Sequence, residues 1–512
     1  MPSAQTTSAQ PCRRPRGATI AAASIAAATL LAASAASAHP FSLYGFGSRS
    51  TAMGGAGTAT ATGASAVHYN PARLTTGPSS AFIGGYATFN DLEINLANRP
   101  AGYDILGSPG RPSAWPVIPT EYRLNERKDP EQPGTGFNFA LGAVSDLGFE
   151  GFRVGFIAAL PVISTVDSKT TFADEREQYF SNSLQFDLMG ARTEQATLEF
   201  AAAYEVLPSL SIGLGASYMP ATTLNNEGYL NAVSEPGNLD LNVGMSIPAR
   251  IRPNFGLSWD DGTFAAGLAY RSEQYMGLAG DTLVQPRGTD PDGGGFPAKQ
   301  KLNIIMNFQP AEAAAGLVGR FGETSVSLDA TFEQWSDYRD NHNNEARVSQ
   351  NLDDLDTARS IDHGFSDTVN LRLGVEHSLG NERVVRFGAG FLPTPVPDQT
   401  GRSNFVDNDK VLLSAGVGGL LKYGTNDITI NFHTQLLNLL PRETVKKQLD
   451  VYPSCTSAVT DTICDEVSEA DVLRVNEPLA FAEGLQTGNP GFPGWSSGGW
   501  ALSAGLDATW NF

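Results

Sequence analysis

Trp500-Ala501-Leu502-Ser503-Ala504-Gly505-Leu506-Asp507-Ala508-Thr509-Trp510-Asn511-Phe512 alternates without a break. In an extended chain, Trp500, Leu502, Ala504, Leu506, Ala508, Trp510 and Phe512 share one face. Ala501, Ser503, Gly505, Asp507, Thr509 and Asn511 share the other, because side chains in a strand point alternately to its two sides. One face suits hydrocarbon and the other a polar interior.

The same period of two recurs upstream. Phe137, Phe139, Leu141, Ala143 and Leu147 alternate, and Gly148-Phe149-Glu150 turns the chain. Phe152, Val154, Phe156, Ala158, Leu160 and Val162 then alternate again. Five more hairpins follow, turning at Leu207-Pro208-Ser209, Asp260-Asp261-Gly262, Phe321-Gly322-Glu323, Gly380 to Arg383 and Tyr423-Gly424-Thr425. Twelve arms, with one strand near 81–96 and another at 499–512, make fourteen.

The other connections are long: 97–135, 166–193, 221–246, 278–300, 336–365, 394–409 and 440–498. Strict alternation of short turns with long loops is foreign to a soluble sandwich. It is the pattern of an outer-membrane barrel, whose turns are short on the periplasmic side and long outside. A lipid slab forbids open sheet edges, so the sheet must close. The expected fold is all-β, a 14-stranded antiparallel transmembrane β-barrel. No run of about 18 apolar residues follows residue 38, which excludes a helical membrane protein. Two irregularities are expected. The apolar phase is even through Leu302, Ile304, Met306 and Phe308 and odd after Pro310, which reads as a bulge. Pro161 lies inside the third strand, 151–165, where a missing ladder donor predicts a kink.

Residues 1–38 read as a signal peptide: basic Arg13-Arg14-Pro15-Arg16, an apolar Ala18–Leu31 stretch, and Ala36-Ser37-Ala38 as the cleavage site. They hold three arginines and no acid, so the remainder carries 31 basic and 54 acidic side chains, net −23. That charge excludes a nucleic-acid partner. Cys12 leaves with the peptide, and Cys455 with Cys464, close together in an exported chain, reads as one disulfide. Residues 39–79 are small and aromatic rather than strand-like. They are expected to form a hatch inside the lumen, with residues 80–512 forming the barrel; hanging free in the periplasm is the alternative.

A Gly/Ala-rich segment followed by Asn70-Pro71-Ala72 and the first strand resembles the FadL-type (OMPP1/FadL/TodX) outer-membrane transporters of long-chain fatty acids and other hydrophobic compounds. Leu268-Ala269-Tyr270-Arg271-Ser272, Phe332-Glu333-Gln334-Trp335-Ser336-Asp337-Tyr338 and Arg386-Phe387-Gly388-Ala389-Gly390-Phe391-Leu392-Pro393 match the family in order. The resemblance implies a fourteen-stranded barrel with an N-terminal hatch and uptake without energy coupling. Ligand would be captured among outside loops, held in the lumen beside the hatch and released sideways at a kinked third strand, where Pro161 stands here. The long last loop, with its cysteine pair, departs from the family.

Strand phase turns Arg250, Arg252 and Arg271 inward, and a hairpin about Asp260–Gly262 is expected to level Arg271 with the other two. Three guanidinium groups would suit a fatty-acid carboxylate; equally, they could pair with wall acids such as Glu273. Arg372 and Arg386 form a second inward pair beside Glu376. Phe41, Leu43, Tyr44 and Phe46 are either hatch packing or a ligand surface. Asn70-Pro71-Ala72 is either a turn or the hatch motif. His363, His377 and His433 share no metal or triad spacing, so no cofactor, metal or catalytic residue is expected. The expected partners are hydrophobic small molecules, outer-membrane lipid and lipopolysaccharide, and the barrel-assembly machinery, whose insertion signal the terminal aromatic strand resembles. The chain is expected to be a monomer. A lipid hydrolase, a general porin and a surface adhesin are the rival readings.

Overall fold

The computed structural model describes residues 41–96, 136–162, 186, 188–189, 197–219, 222–231, 238–287, 298–339, 348–349, 364–400, 405–423, 426–445 and 494–512. The signal peptide, the Cys455–Cys464 pair and His363 lie outside the described residues, as does the stretch beyond Val162 that the kinked third strand would need.

Nineteen strands are described: β1 (Ser80–Leu96), β2 (Gly136–Ser145), β3 (Phe152–Pro161), β4 (Thr197–Leu207), β5 (Leu210–Met219), β6 (Thr222–Asn231), β7 (Asn238–Ile247), β8 (Arg250–Asp260), β9 (Phe264–Arg271), β10 (Gln274–Arg287), β11 (Ala298–Gln309), β12 (Ala311–Phe321), β13 (Thr324–Gln334), β14 (Val348–Ser349), β15 (Thr368–Gly380), β16 (Arg383–Leu392), β17 (Lys410–Tyr423), β18 (Asn426–Val445) and β19 (Gly494–Asn511). Fourteen of them close a ring in which β1 pairs with both β2 and β19. Closure leaves no unpaired edge for lipid to meet.

The alternation of the last strand holds. Ala501, Ser503, Gly505 and Asp507 are buried inward, while Leu506, Trp510 and Phe512 are exposed. Around the ring the outward face is apolar: Ile251 is 69% exposed, Leu317 61%, Phe387 59% and Leu268 55%. Each such side chain left in water forfeits about 1.5–3 kcal/mol, so a complete apolar belt is tolerable only against hydrocarbon. The short turns lie where expected. Between β15 and β16, Asn381 and Glu382 both take positive φ, 53° and 61°, the two-residue turn whose twist matches a hairpin.

Two segments differ from the sequence reading. The arms at 263–277 and 301–320 are each two strands. Pro310 is not a bulge but a hand-over, with β12 in the barrel and β11 in a second, five-stranded sheet ordered β14-β11-β10-β7-β6. That sheet is built from the connections at 221–246 and 278–300 and a short piece of 336–365, all expected to be loops, with the outer parts of the arms at 263–277 and 301–320. It grows from the outer ends of β5, β8, β9 and β12. The missing proline N–H and the reversed phase both mark the strand's departure from the wall.

Pro161 is the last residue of β3, opposite Asn138, and Val162 N–H donates to Phe137 O at 2.8 Å.

Candidate functional site: the N-terminal segment and the lumen

The N-terminal segment folds as three short helices, α1 (Phe41–Tyr44), α2 (Ser48–Ala52) and α3 (Ser65–Tyr69), then a 3-10 helix at Pro71–Thr76. It touches β16 and β18 through α2, β3 and β4 through α3, and β5 and β8 through the 3-10 helix. Only a segment inside a closed ring can reach strands on all its sides.

The wall makes room for it with glycines on the inward phase. A Cβ on Gly388 would lie 2.0 Å from Gly54 N, one on Gly213 2.2 Å from Ala72 N, and one on Gly267 2.3 Å from Thr58 O. Real Cβ atoms do not approach backbone so closely, so backbone of the segment packs straight onto backbone of the wall.

Asn70 does more than turn the chain. Its Oδ1 accepts from Ala72 N–H at 3.1 Å and so caps the 3-10 helix, with Pro71 at the first helical position. Its Nδ2 donates to Thr58 O at 2.9 Å and to Leu257 O at 3.0 Å. One side chain thus ties two parts of the segment together and fastens both to β8.

Charged ties follow. Arg49 grips Glu376 with both nitrogens, Nε at 2.9 Å and Nη2 at 3.0 Å, and Arg386 reaches the same carboxylate at 2.6 Å. Arg73 reaches Asp260 at 2.9 Å, which Arg320 holds from the other side at 2.8 Å. Thr58 N–H donates to Asp329 at 2.7 Å, and Ser48 N–H donates to Asp507. Arg372 donates to Gly54 O at 2.9 Å. The expected pairing of Arg386 with Glu376 is therefore present, with Arg49 as a third member, while Arg372 serves the segment's backbone.

The three arginines expected to converge do not form one patch. Arg271 stands opposite Asn254, with Arg252 and Arg250 further out. Arg252, 1% exposed, reaches Glu312 at 3.1 Å and also donates to Gln309 Oε1, Pro310 O and Ser272 O. Arg271 reaches the other oxygen of Glu312 at 3.2 Å and donates to His68 O. His68 in turn lies 3.3 Å from Glu199. Glu273, the acid suggested by sequence, is 3.8 Å from Arg339 instead. Arg250 stands apart, its guanidinium 4.5 Å above the Tyr275 ring. A cavity of about 70 Å³ beside this cluster is lined by His68, Tyr69, Arg271, Glu312, Glu333 and Arg372, among others.

The opposite sector is apolar. Leu43, Tyr44, Phe46, Val67 and Leu74 of the segment join one buried cluster with Tyr86, Leu92, Ile94, Ala140, Val144, Ile157 and Leu437 of the wall. Phe46 is 1% exposed and its ring lies 5.2 Å from that of Phe82, tilted by 38°. Leu43 and Phe46 therefore pack the segment to the wall; Phe41's side chain lies outside the description. No inward-phase residue of β1 or β2 is charged. Within this sector the amide of Asn138, 1% exposed, has neither polar atom hydrogen bonded.

Sequence reasoning missed a second aromatic cluster. Tyr338 and Phe365 stack at 4.0 Å, with Phe405 5.1 Å from Phe365 and Phe308 5.7 Å from Tyr338. Trp335 and Tyr275 pack against it, at the outer end of the wall. Its members come from three separate connections between barrel strands, so nothing short of the fold assembles them. Among the described residues no His, Cys, Asp and Glu group could hold a metal. His377 is hydrogen bonded to Thr324 at the surface, and His433 is buried inward.

A closed barrel with an apolar belt and a folded N-terminal segment packed against its inner wall has the architecture of an outer-membrane protein. The profile of the outer membrane protein transport protein family (OMPP1/FadL/TodX) matches residues 25–432, and the chain belongs to that family. It is 24% identical to alkane uptake protein A of Marinobacter nauticus over 376 residues, 69% of this chain and 73% of that one. It is 23% identical to the long-chain fatty acid transport protein of Escherichia coli over 268 residues, 46% of this chain and 58% of that one. Among solved structures it resembles a FadL homologue of Pseudomonas aeruginosa, with a TM-score of 0.53, 14% identity, and 94% and 99% of the two chains covered. A TodX mutant described as a monoaromatic hydrocarbon channel gives 0.50, 15% identity, and 91% and 99%.

Proposed function

We propose that the chain passes small hydrophobic molecules, of the alkane or long-chain fatty acid kind named for its relatives, inward by diffusion, with the N-terminal segment as the gate. The ligand is caught at the outer aromatic cluster around Tyr338 and Phe365. It moves along the apolar sector between the hatch and β1–β3, and leaves sideways where β3 ends at Pro161. The observation that carries this reading is the asymmetry of the hatch's contacts. Arginine–carboxylate pairs tie it toward β8–β16, whereas toward β1–β3 a buried apolar cluster dominates, with polar contacts from Tyr44 to Asn90 and from Arg153 to Gly77 O. Apolar contacts to a neighbouring wall can be exchanged for contacts to an apolar guest at little cost, whereas a buried ion pair cannot.

The test is hydrocarbon uptake by cells whose own uptake protein has been removed, with and without this chain, alongside planar-bilayer conductance of the purified protein. Restored uptake with negligible ion conductance supports a gated hydrophobic path. High steady conductance without uptake favours a general porin and sinks the proposal.

A further inference from the structure

We propose that the ligand carried through the lumen is uncharged, a hydrocarbon or similar neutral apolar molecule, and that carboxylates are turned away there. The proposal rests on the uptake reading above and concerns which class of molecule that path admits.

Binding a fatty acid's head group needs a cation whose charge is not already matched. Arg252 and Arg271, the inward arginines of β8 and β9, share the two oxygens of one wall carboxylate, Glu312. Arg252 adds three further acceptors, and Arg271 is also held by the His68 carbonyl. The buried lining holds more acid besides: Glu199 at 0% exposure and Asp329 at 2%. Glu333 accepts from Asn370 at 2.7 Å and from Trp335 at 2.7 Å, both neutral donors. A carboxylate arriving here would have to displace Glu312 and leave it buried without its partners, which is the expensive way to break a buried pair.

Among the described residues Arg250 has no carboxylate partner, but it is stacked on Tyr275 at the outer end of β8 and does not line the lumen cavity, whereas Arg372, which does, donates to Gly54 O at 2.9 Å. The inward faces of β1 and β2 offer no charge, and the inward Arg153 of β3 is turned to Gly77 O at 3.4 Å and lies 3.9 Å from Asp146. The chain as a whole, at −20, further repels anions at long range. A neutral guest meets none of these obstacles.

The experiment uses the purified full-length protein in detergent with two probes of equal chain length, palmitate and methyl palmitate, at pH 8. Methyl palmitate is expected to bind at least tenfold more tightly. Glu312→Gln, which removes the carboxylate that Arg252 and Arg271 share, should raise palmitate affinity at least tenfold. Equal or tighter binding of palmitate by the wild type overturns the proposal, whether or not the variant folds. If neither probe binds, the uptake reading itself fails, and this inference with it.

Discussion

Gly388→Ala is the sharpest test of a lumen filled by the N-terminal segment. The added Cβ would sit 2.0 Å from Gly54 N, 2.4 Å from Met53 C and 2.4 Å from Ser414 Oγ. An ordinary carbon–nitrogen contact is about 3.5–4.0 Å, so the segment must retreat by roughly 1.5 Å or the wall must buckle. Overpacking of this kind costs about 1–3 kcal/mol. Gly54 cannot rotate away freely, because its N–H donates to Ser414 Oγ at 2.9 Å and its carbonyl is held by Arg372. Gly419→Ala on the neighbouring strand β17 is the control: its Cβ would meet nothing closer than Glu382 O at 3.9 Å. There, exchanging glycine for alanine in a strand gains about 0.5–1 kcal/mol. Thermal unfolding in detergent should therefore fall for Gly388→Ala and hold or rise for Gly419→Ala, and planar-bilayer recordings should show new leak openings only for the first. Equal stability and equal silence in both variants would mean that no backbone lies against Gly388, and the plugged lumen would be refuted.

Asn70→Ala removes three hydrogen bonds at once and at about 1 kcal/mol each should loosen the segment by about 3 kcal/mol, seen as faster proteolysis between residues 58 and 76. Glu376→Gln strips the charge that Arg49 and Arg386 share and should cost about 3 kcal/mol in thermal or denaturant unfolding. Leu268→Lys puts an ammonium on the lipid face and should lower folding stability in lipid bilayers by about 2 kcal/mol, whereas a lysine tolerated there would place that face in water.

Much of the wall was legible because lipid enforces one rule on every strand. A residue on the wrong phase is punished, so alternation in Trp500–Phe512 or Phe152–Val162 reports its own side. The second sheet answers to no such rule. Residues 222–231 mix polar and apolar side chains on both phases, with Asn225, Asn226 and Glu227 running together. Although Leu239, Leu241, Val243, Met245 and Ile247 do alternate, the pairing of the two strands follows from the fold rather than from local pattern. The break at Pro310 was visible, yet whether it marked a bulge or a change of sheet depended on partners tens of residues away. The arginines failed for the same reason. Glu273, two residues from Arg271, was the nearest acid by hairpin logic, whereas Glu312 comes level with Arg271 only when β12 pairs with β9. A signal for the filled lumen was present and unused. Gly213, Gly256, Gly267, Gly316, Gly374, Gly388 and Gly416 all fall on the inward phase, where a water-filled pore would have no need of them.

The ties of the segment also bear on how a passive gate could open. Arg49, Arg73 and Asn70, the carboxylates of Asp329 and Asp507, and the arginines at 271 and 372 all fasten it to β8–β19. Even at about 1 kcal/mol net for each, withdrawing the whole segment would cost on the order of 7 kcal/mol, and more where buried charges are parted. No energy source lies in the membrane-facing wall to supply that at every turnover. If the segment gates uptake as proposed, opening is local. Among the described residues the side without an arginine–carboxylate tie is β1–β3, where Phe46, Val67 and Leu74 meet Phe82, Val144 and Ile157, with polar contacts of Tyr44 with Asn90 and Arg153 with Gly77 O. An apolar guest replaces those contacts as it passes. On this account, substitutions that widen the apolar side, such as Phe46→Ala, should speed hydrocarbon uptake or leave the seam leaking. Equivalent cuts on the ionic side should destabilise the protein without speeding uptake, and the reverse pattern in a paired uptake and unfolding series would place the gate on the other wall.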